Sequence, residues 1–135
     1  MPIDVRNATT LLEVFDMPRS IAFYRDLLGF EIVQEWRPED HLYWAMLKLG
    51  GAALMLNAAY EDDERPATPD IERASGHGDT ELYFACGNAD DVYAYLSERG
   101  CEVQPPEVTF YGMKQVRLKD PDNFKICFQS PVQSN

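Results

Sequence analysis

The stretch Leu11–Val33, LLEVFDMPRSIAFYRDLLGFEIV, reads as a strand, a capped helix and a second strand. Thr10, Leu12 and Val14 alternate as one face of a half-buried strand. Asp16 and Ser20 then supply helix-starting chemistry around Pro18, and the helix is expected to follow at Ser20. Ile21, Tyr24, Leu27 and Leu28 fall at helical spacing, and Gly29 suits the left-handed cap that ends a helix before Phe30 to Trp36 turns extended.

A weaker copy of this plan spans Leu82–Val103, where Asp90, Val92, Tyr95, Leu96 and Gly100 perform the same jobs. An offset of 72 sets Leu12 on Phe84, Met46 on Leu118, Leu54 on Ile126 and Leu56 on Phe128. Around the helix the offset is 71, from Gly29 to Gly100. A pattern held in register across a one-residue change implies a duplicated module, which in turn suggests a binding pocket between two halves.

The run VFDMPRSIAFYRDLLGF, the stretch YGMKQ at Tyr111 to Gln115 and LKDPDNFKICF at Leu118 to Phe128 together resemble the vicinal oxygen chelate superfamily of glyoxalases, bleomycin-resistance proteins and extradiol dioxygenases. The resemblance covers about Thr9 to Pro131 and is closest in character to the metal-free bleomycin-resistance-like binders. It implies an α+β fold in which two paired βαβββ modules form an open barrel around a central cavity. The modules would occupy about residues 8–60 and 78–131, joined by a linker of about 61–77. That linker holds Glu61, Asp62, Asp63 and Glu64, then Pro66, Pro69 and Gly76, as a solvated connection would.

Composition fits one compact domain: 135 residues, 45% hydrophobic and 26% charged. The N-terminal MPIDVRN has no apolar signal-like run, and no apolar stretch is long enough to cross a membrane. Three cysteines make an odd count, so a reducing, cytoplasmic setting is expected and a disulfide framework is not. The net charge of −11, with 12 basic residues, argues against nucleic acid as a partner and favours a cationic ligand, although acidity also serves general solubility.

In metal-using relatives the ligands come from the first and last strand of each half. By resemblance those positions are Thr9 and Met55 in the first half, Glu81 and Cys127 in the second. Threonine is a poor ligand and methionine suits soft metals, so no cofactor is expected. His41 and His77, the two histidines, are assigned to the surface, His77 being the one that a shifted alignment would bring toward the cavity as a ligand beside Cys127. Cys127 has Lys125 and Gln129 on its own face of the strand but no identifiable base, which makes it a passive lining residue. Asp120-Pro121-Asp122-Asn123 reads as a hairpin turn, with Asn123 tolerating left-handed geometry.

Strand alternation places Leu11 and Glu13 beside Thr9, Asn57 beside Met55, and Tyr83 beside Glu81 as ligand-lining candidates. Glu13 and Glu81 suit either a ligand cation or an ion pair with Lys125 or a nearby arginine. Trp36, Tyr43, Trp44, Phe110 and Tyr111 offer flat rings for stacking, with Tyr43 and Tyr111 foremost. Three functions remain open at this point. One is metal-free binding of a small aromatic or cationic molecule, as in antibiotic sequestration; the second is a divalent-metal lyase, isomerase or dioxygenase; the third is a metal-free enzyme with Glu81 as general base. A homodimer is expected, because open sheet edges invite a second chain.

Overall fold

The computed structural model describes residues 3–132. They form eight strands and three α-helices, divided between a unit that ends at Thr68 and one that begins at Pro69. Each unit contains the order strand, helix, three strands, and the second has one further helix ahead of it.

In the first unit β1 (Thr10–Val14) leads into α1 (Met17–Ile21). The helix begins three residues earlier than Ser20 because Asp16 is its cap, accepting from the Arg19 N–H at 3.2 Å, with Pro18 in the first turn. Ser20 lies inside the helix, its N–H bonded to the Asp16 carbonyl. The helix widens into a π-helical segment, Ala22–Leu27, in which Leu28 N–H reaches back to the Phe23 carbonyl at 3.0 Å. Gly29 then takes φ +94°, the left-handed conformation expected of it. The chain continues through β2 (Glu31–Trp36), β3 (Trp44–Leu49) and β4 (Ala52–Ala58). Sheet order is β1-β4-β3-β2, with β1 parallel to β4 and the other pairs antiparallel.

The second unit opens with α2 (Ile71–Gly76), capped by Asp70 and lying inside the stretch read as a linker. Then come β5 (Glu81–Ala85), α3 (Ala89–Glu98), β6 (Glu107–Val108), β7 (Met113–Lys119) and β8 (Lys125–Pro131). Asn88 caps α3, and Asp90 sits in its first turn. Gly100 ends the helix at φ +77°. The sheet order, β5-β8-β7-β6, repeats that of the first sheet, again with one parallel pair, β5 with β8.

Register shows where the copies match. Leu12 pairs with Leu56, and Leu56 with Ala45; Phe84 pairs with Phe128, and Phe128 with Val116. Leu54 and Ile126 likewise sit between Thr10 and Leu47 and between Leu82 and Leu118. The offset of 72 therefore holds on the first and last strands of each unit. On β3 and β7 it is 71, so Leu47, not Met46, corresponds to Leu118. Four residues separate Lys48 from its partner Ala53, whereas five separate Lys119 from its partner Lys125. The extra residue lies in the Asp120–Phe124 turn, where Asn123 takes φ +70° and Asp120 Oδ1 accepts from the N–H groups of Asp122 and Phe124.

One face of each sheet is the core. Val14, Tyr24, Phe30, Leu47, Leu54 and Leu56 are buried in the first unit, and Leu96, Val116, Ile126 and Phe128 in the second. Burial of such side chains stabilises by about 1.5–3 kcal/mol each, before entropy is counted. The opposite faces carry the chemistry.

Candidate functional site

On the first sheet the face opposite the core presents Leu11, Met55 and Met46 as one register row, and Glu13, Asn57 and Trp44 as the next. Asn57 Nδ2 donates to Glu13 Oε1 at 2.8 Å. Trp36 is the register partner of Trp44, and its ring lies 5.5 Å from that of Tyr43. Thr9, half-buried, immediately precedes β1. The Tyr43 hydroxyl has its pKa raised by partial desolvation and by a hydrogen bond to Glu61. The Met55 and Asn57 rows are mainly apolar and aromatic, crossed by the Asn57–Glu13 contact, with Gln34 beside Met46 and Lys48 further along β3.

The second sheet differs at the same rows. Tyr83, Cys127 and Arg117 form one, and Ala85, Gln129 and Gln115 the next. Arg117 Nη2 donates to Tyr83 Oη at 3.0 Å and to Glu81 Oε1 at 3.4 Å. Gln115 Nε2 donates to Gln129 Oε1 at 3.1 Å and to Tyr111 Oη at 3.2 Å. Glu81, a candidate for either a cation or an ion pair, is thus paired with Arg117. Burial works against the Arg117 charge, but the Tyr83 hydroxyl, Cys127 and Glu81 outweigh it and raise its pKa, so it stays a cation. The Tyr83 hydroxyl is pushed up first by its bond to Glu81, with Arg117 pulling the other way.

Cys127 lies beneath this network with no exposed surface. Burial raises its thiol pKa, Arg117 lowers it, and Glu81 and Cys86 raise it again. A buried neutral thiol is a poor nucleophile, and with no exposed surface Cys127 packs beneath the face where a lining position was expected. Tyr83 and Tyr111 are 48% and 57% exposed, enough ring surface to meet a ligand.

The metal positions implied by resemblance do not fit a divalent ion. Thr9 and Met55 are weak donors, Glu81 is paired with Arg117, and Cys127 is buried and protonated. Among the described residues no three His, Cys, Asp or Glu side chains converge. His77 Nδ1 lies 2.7 Å from the Asp122 carbonyl and its ring stacks on Phe124 at 3.9 Å, which ties it to the β7–β8 turn. His41 Nδ1 sits 2.7 Å from Asp62 on the surface. A small cavity of about 110 Å³ lies apart from these residues at the start of α3, among Gly87, Asn88, Asp90, Lys114, Ser130 and Val132. Its Lys114 and Asp90 already pair at 2.8 Å.

Sequence reading grouped Glu81, Tyr83, Tyr111 and Cys127 with Leu11, Glu13, Met55 and Asn57 around one cavity; in the structure the first four belong to the second unit and the last four to the first sheet. It missed Arg117 and Gln115, because it drew strand-lining candidates from the first and last strands of each half and none from β7. Alternation along Met113, Gln115, Arg117 and Lys119 was the signal that identifies them.

Comparison with known proteins agrees with this architecture. The lactoylglutathione lyase of Haemophilus influenzae (strain ATCC 51907 / DSM 11121 / KW20 / Rd) is 30% identical over 129 residues, covering 88% of this chain and 87% of that protein. The uncharacterized protein YwkD of Bacillus subtilis (strain 168) is 32% identical over 113 residues, covering 82% and 85%. Among solved structures, TnmS3, an antibiotic binding protein from Streptomyces sp. CB03234, superposes with a TM-score of 0.68 at 22% identity, covering 96% of this chain and 99% of that one. The family profile described as Glyoxalase/Bleomycin resistance protein/Dioxygenase superfamily matches residues 7–128. With its doubled strand–helix–three-strand plan matched almost end to end, the chain belongs to the Glyoxalase/Bleomycin resistance protein/Dioxygenase superfamily.

Proposed function

We propose that this protein binds a small aromatic molecule without changing it and without a metal. The observation that carries this reading is the face of the second sheet opposite its core. There, exposed Tyr83 and Tyr111 rings flank side chains already bonded to one another, and the donors suit recognition better than metal chemistry. The fold shared with TnmS3, itself an antibiotic binding protein, is in keeping with such a role. The chain is proposed to act in the cytoplasm as a homodimer, which light scattering would register as twice the 15.4 kDa chain mass.

The test is a calorimetric titration with 2-naphthamide, a neutral planar probe, followed by mass spectrometry of the recovered compound. Binding with unchanged recovery is expected, and Tyr111→Ala should weaken it by roughly 1–3 kcal/mol. No binding, or a chemically altered compound, would refute the reading.

A second reading is favoured by the relative named lactoylglutathione lyase. Under it Glu81 would be a metal ligand or a general base, and Arg117 would have to release it. One equivalent of metal that survives dialysis and disappears in Glu81→Ala would establish the metal enzyme in place of the binder.

A further inference from the structure

The charge on this same face specifies a ligand class, an inference that rests on the proposed binding role. The chain carries a net charge of −11, yet positive charge collects at one corner of the second sheet. Arg117 and Lys119 alternate along β7, and Lys119 is the register partner of Lys125 on β8, which is also the partner of Glu81 on β5. Three cations thus share adjacent positions with one carboxylate. The acids of the neighbouring turn are engaged elsewhere. Asp120 accepts from two backbone N–H groups and Asp122 pairs with Arg73 at 3.1 Å, both carboxylates being buried.

These cations have unused capacity. Lys119 and Lys125 enter no ion pair among the described residues. The Arg117 side chain is 44% exposed and bonds only through Nη2, so Nε and Nη1 have no partner among the described residues. A guanidinium offers five donors in a planar fork that matches the two oxygens of a carboxylate. Its contact with Glu81, 3.4 Å and through one nitrogen, is longer than a strong charge-assisted bond. Acids elsewhere on the surface repel an anion weakly here, because physiological salt screens charge over about 8 Å.

We propose that this corner binds the carboxylate of an aromatic acid. The remaining donors of Arg117 take the oxygens, Lys119 and Lys125 add attraction, and the exposed Tyr83 ring packs on the aromatic body.

The experiment titrates the full chain with three probes that share the 2-naphthyl ring: 2-naphthoate, 2-naphthamide and 2-naphthylmethylammonium. The expected order places 2-naphthoate about tenfold tighter than the amide, with the ammonium weakest. Arg117→Gln should erase the preference for the acid, weakening 2-naphthoate about tenfold more than it weakens 2-naphthamide. Glu81→Gln, which removes the competing carboxylate, should tighten 2-naphthoate several-fold, and this decides the matter if the arginine variant fails to fold. Equal or weaker binding of 2-naphthoate than of 2-naphthamide, or no response to either substitution, overturns the inference while aromatic binding stands. Failure of all three probes to bind removes both proposals.

Discussion

The two sheets of this protein have the same strand order and the same pairing, yet their faces opposite the core have diverged. Where the first sheet sets Leu11, Met55 and Met46 side by side, the second sets Tyr83, Cys127 and Arg117. On the core side, Leu54 answers to Ile126, Leu47 to Leu118 and Leu56 to Phe128, all apolar and buried. Packing constrains the second set in both copies, because each must fill the space between sheet and helix at solid-like density. Nothing in the fold demands Arg117 at a position where its counterpart is Met46. Function is therefore to be sought where the copies differ.

The largest expected effect concerns what the copies share. Leu54→Ala and Ile126→Ala should each destabilise by about 2–5 kcal/mol in chemical denaturation, since both side chains are buried at equivalent rows. If one of the pair proved neutral, the two cores would not be equivalent and the comparison would break.

A smaller effect separates the hairpins. The first sheet turns through Gly50 and Gly51, whereas the second uses Asp120, whose buried carboxylate holds the N–H groups of Asp122 and Phe124 at 2.9 and 2.8 Å. Asp120→Ala leaves those donors without their acceptor and should cost roughly 1–3 kcal/mol in the same denaturation assay. A neutral result would mean that the longer turn is held by other contacts, such as His77 on Phe124.

Local requirements separate what the sequence disclosed from what it hid. The alternation of Leu12 and Val14, the cap at Asp16 and the left-handed Gly29 and Gly100 were readable because each is a local requirement of its own segment. The chain's membership in its superfamily followed from motifs at Val14 to Phe30 and Leu118 to Phe128. Arg117 was hidden because lining positions were drawn from the first and last strands of each half, while the face of β7 is settled by its register with β8. The pairing of Glu81 was half visible: a nearby arginine was among its expected partners, but which one depended on that register. The fates of His41 and His77 depend on long-range contacts with Asp62 and Asp122, which no local pattern encodes.

The smallest effect concerns His41 in the first unit. His41 has its pKa raised, chiefly by the hydrogen bond that its ring donates to Asp62, with desolvation opposing. A raised folded-state value means that protonated His41 favours the folded protein below its unfolded pKa, and that this contribution disappears as pH rises through the folded value. NMR titration should place His41 above the ordinary histidine value, and Asp62→Asn should bring it down. An unchanged titration in that variant would show that the contact is not kept in solution.

The most direct test of the central claim, that the face of the second sheet opposite its core is where a ligand binds, is an NMR titration of the labelled protein with 2-naphthamide. The account predicts side-chain and backbone shifts concentrated at Tyr83, Tyr111, Gln115, Arg117 and Gln129, with Val116, Ile126 and Phe128 on the other face affected far less. Shifts centred instead on α3 and the small cavity at Asn88 and Lys114, or no shifts at any residue, would contradict it.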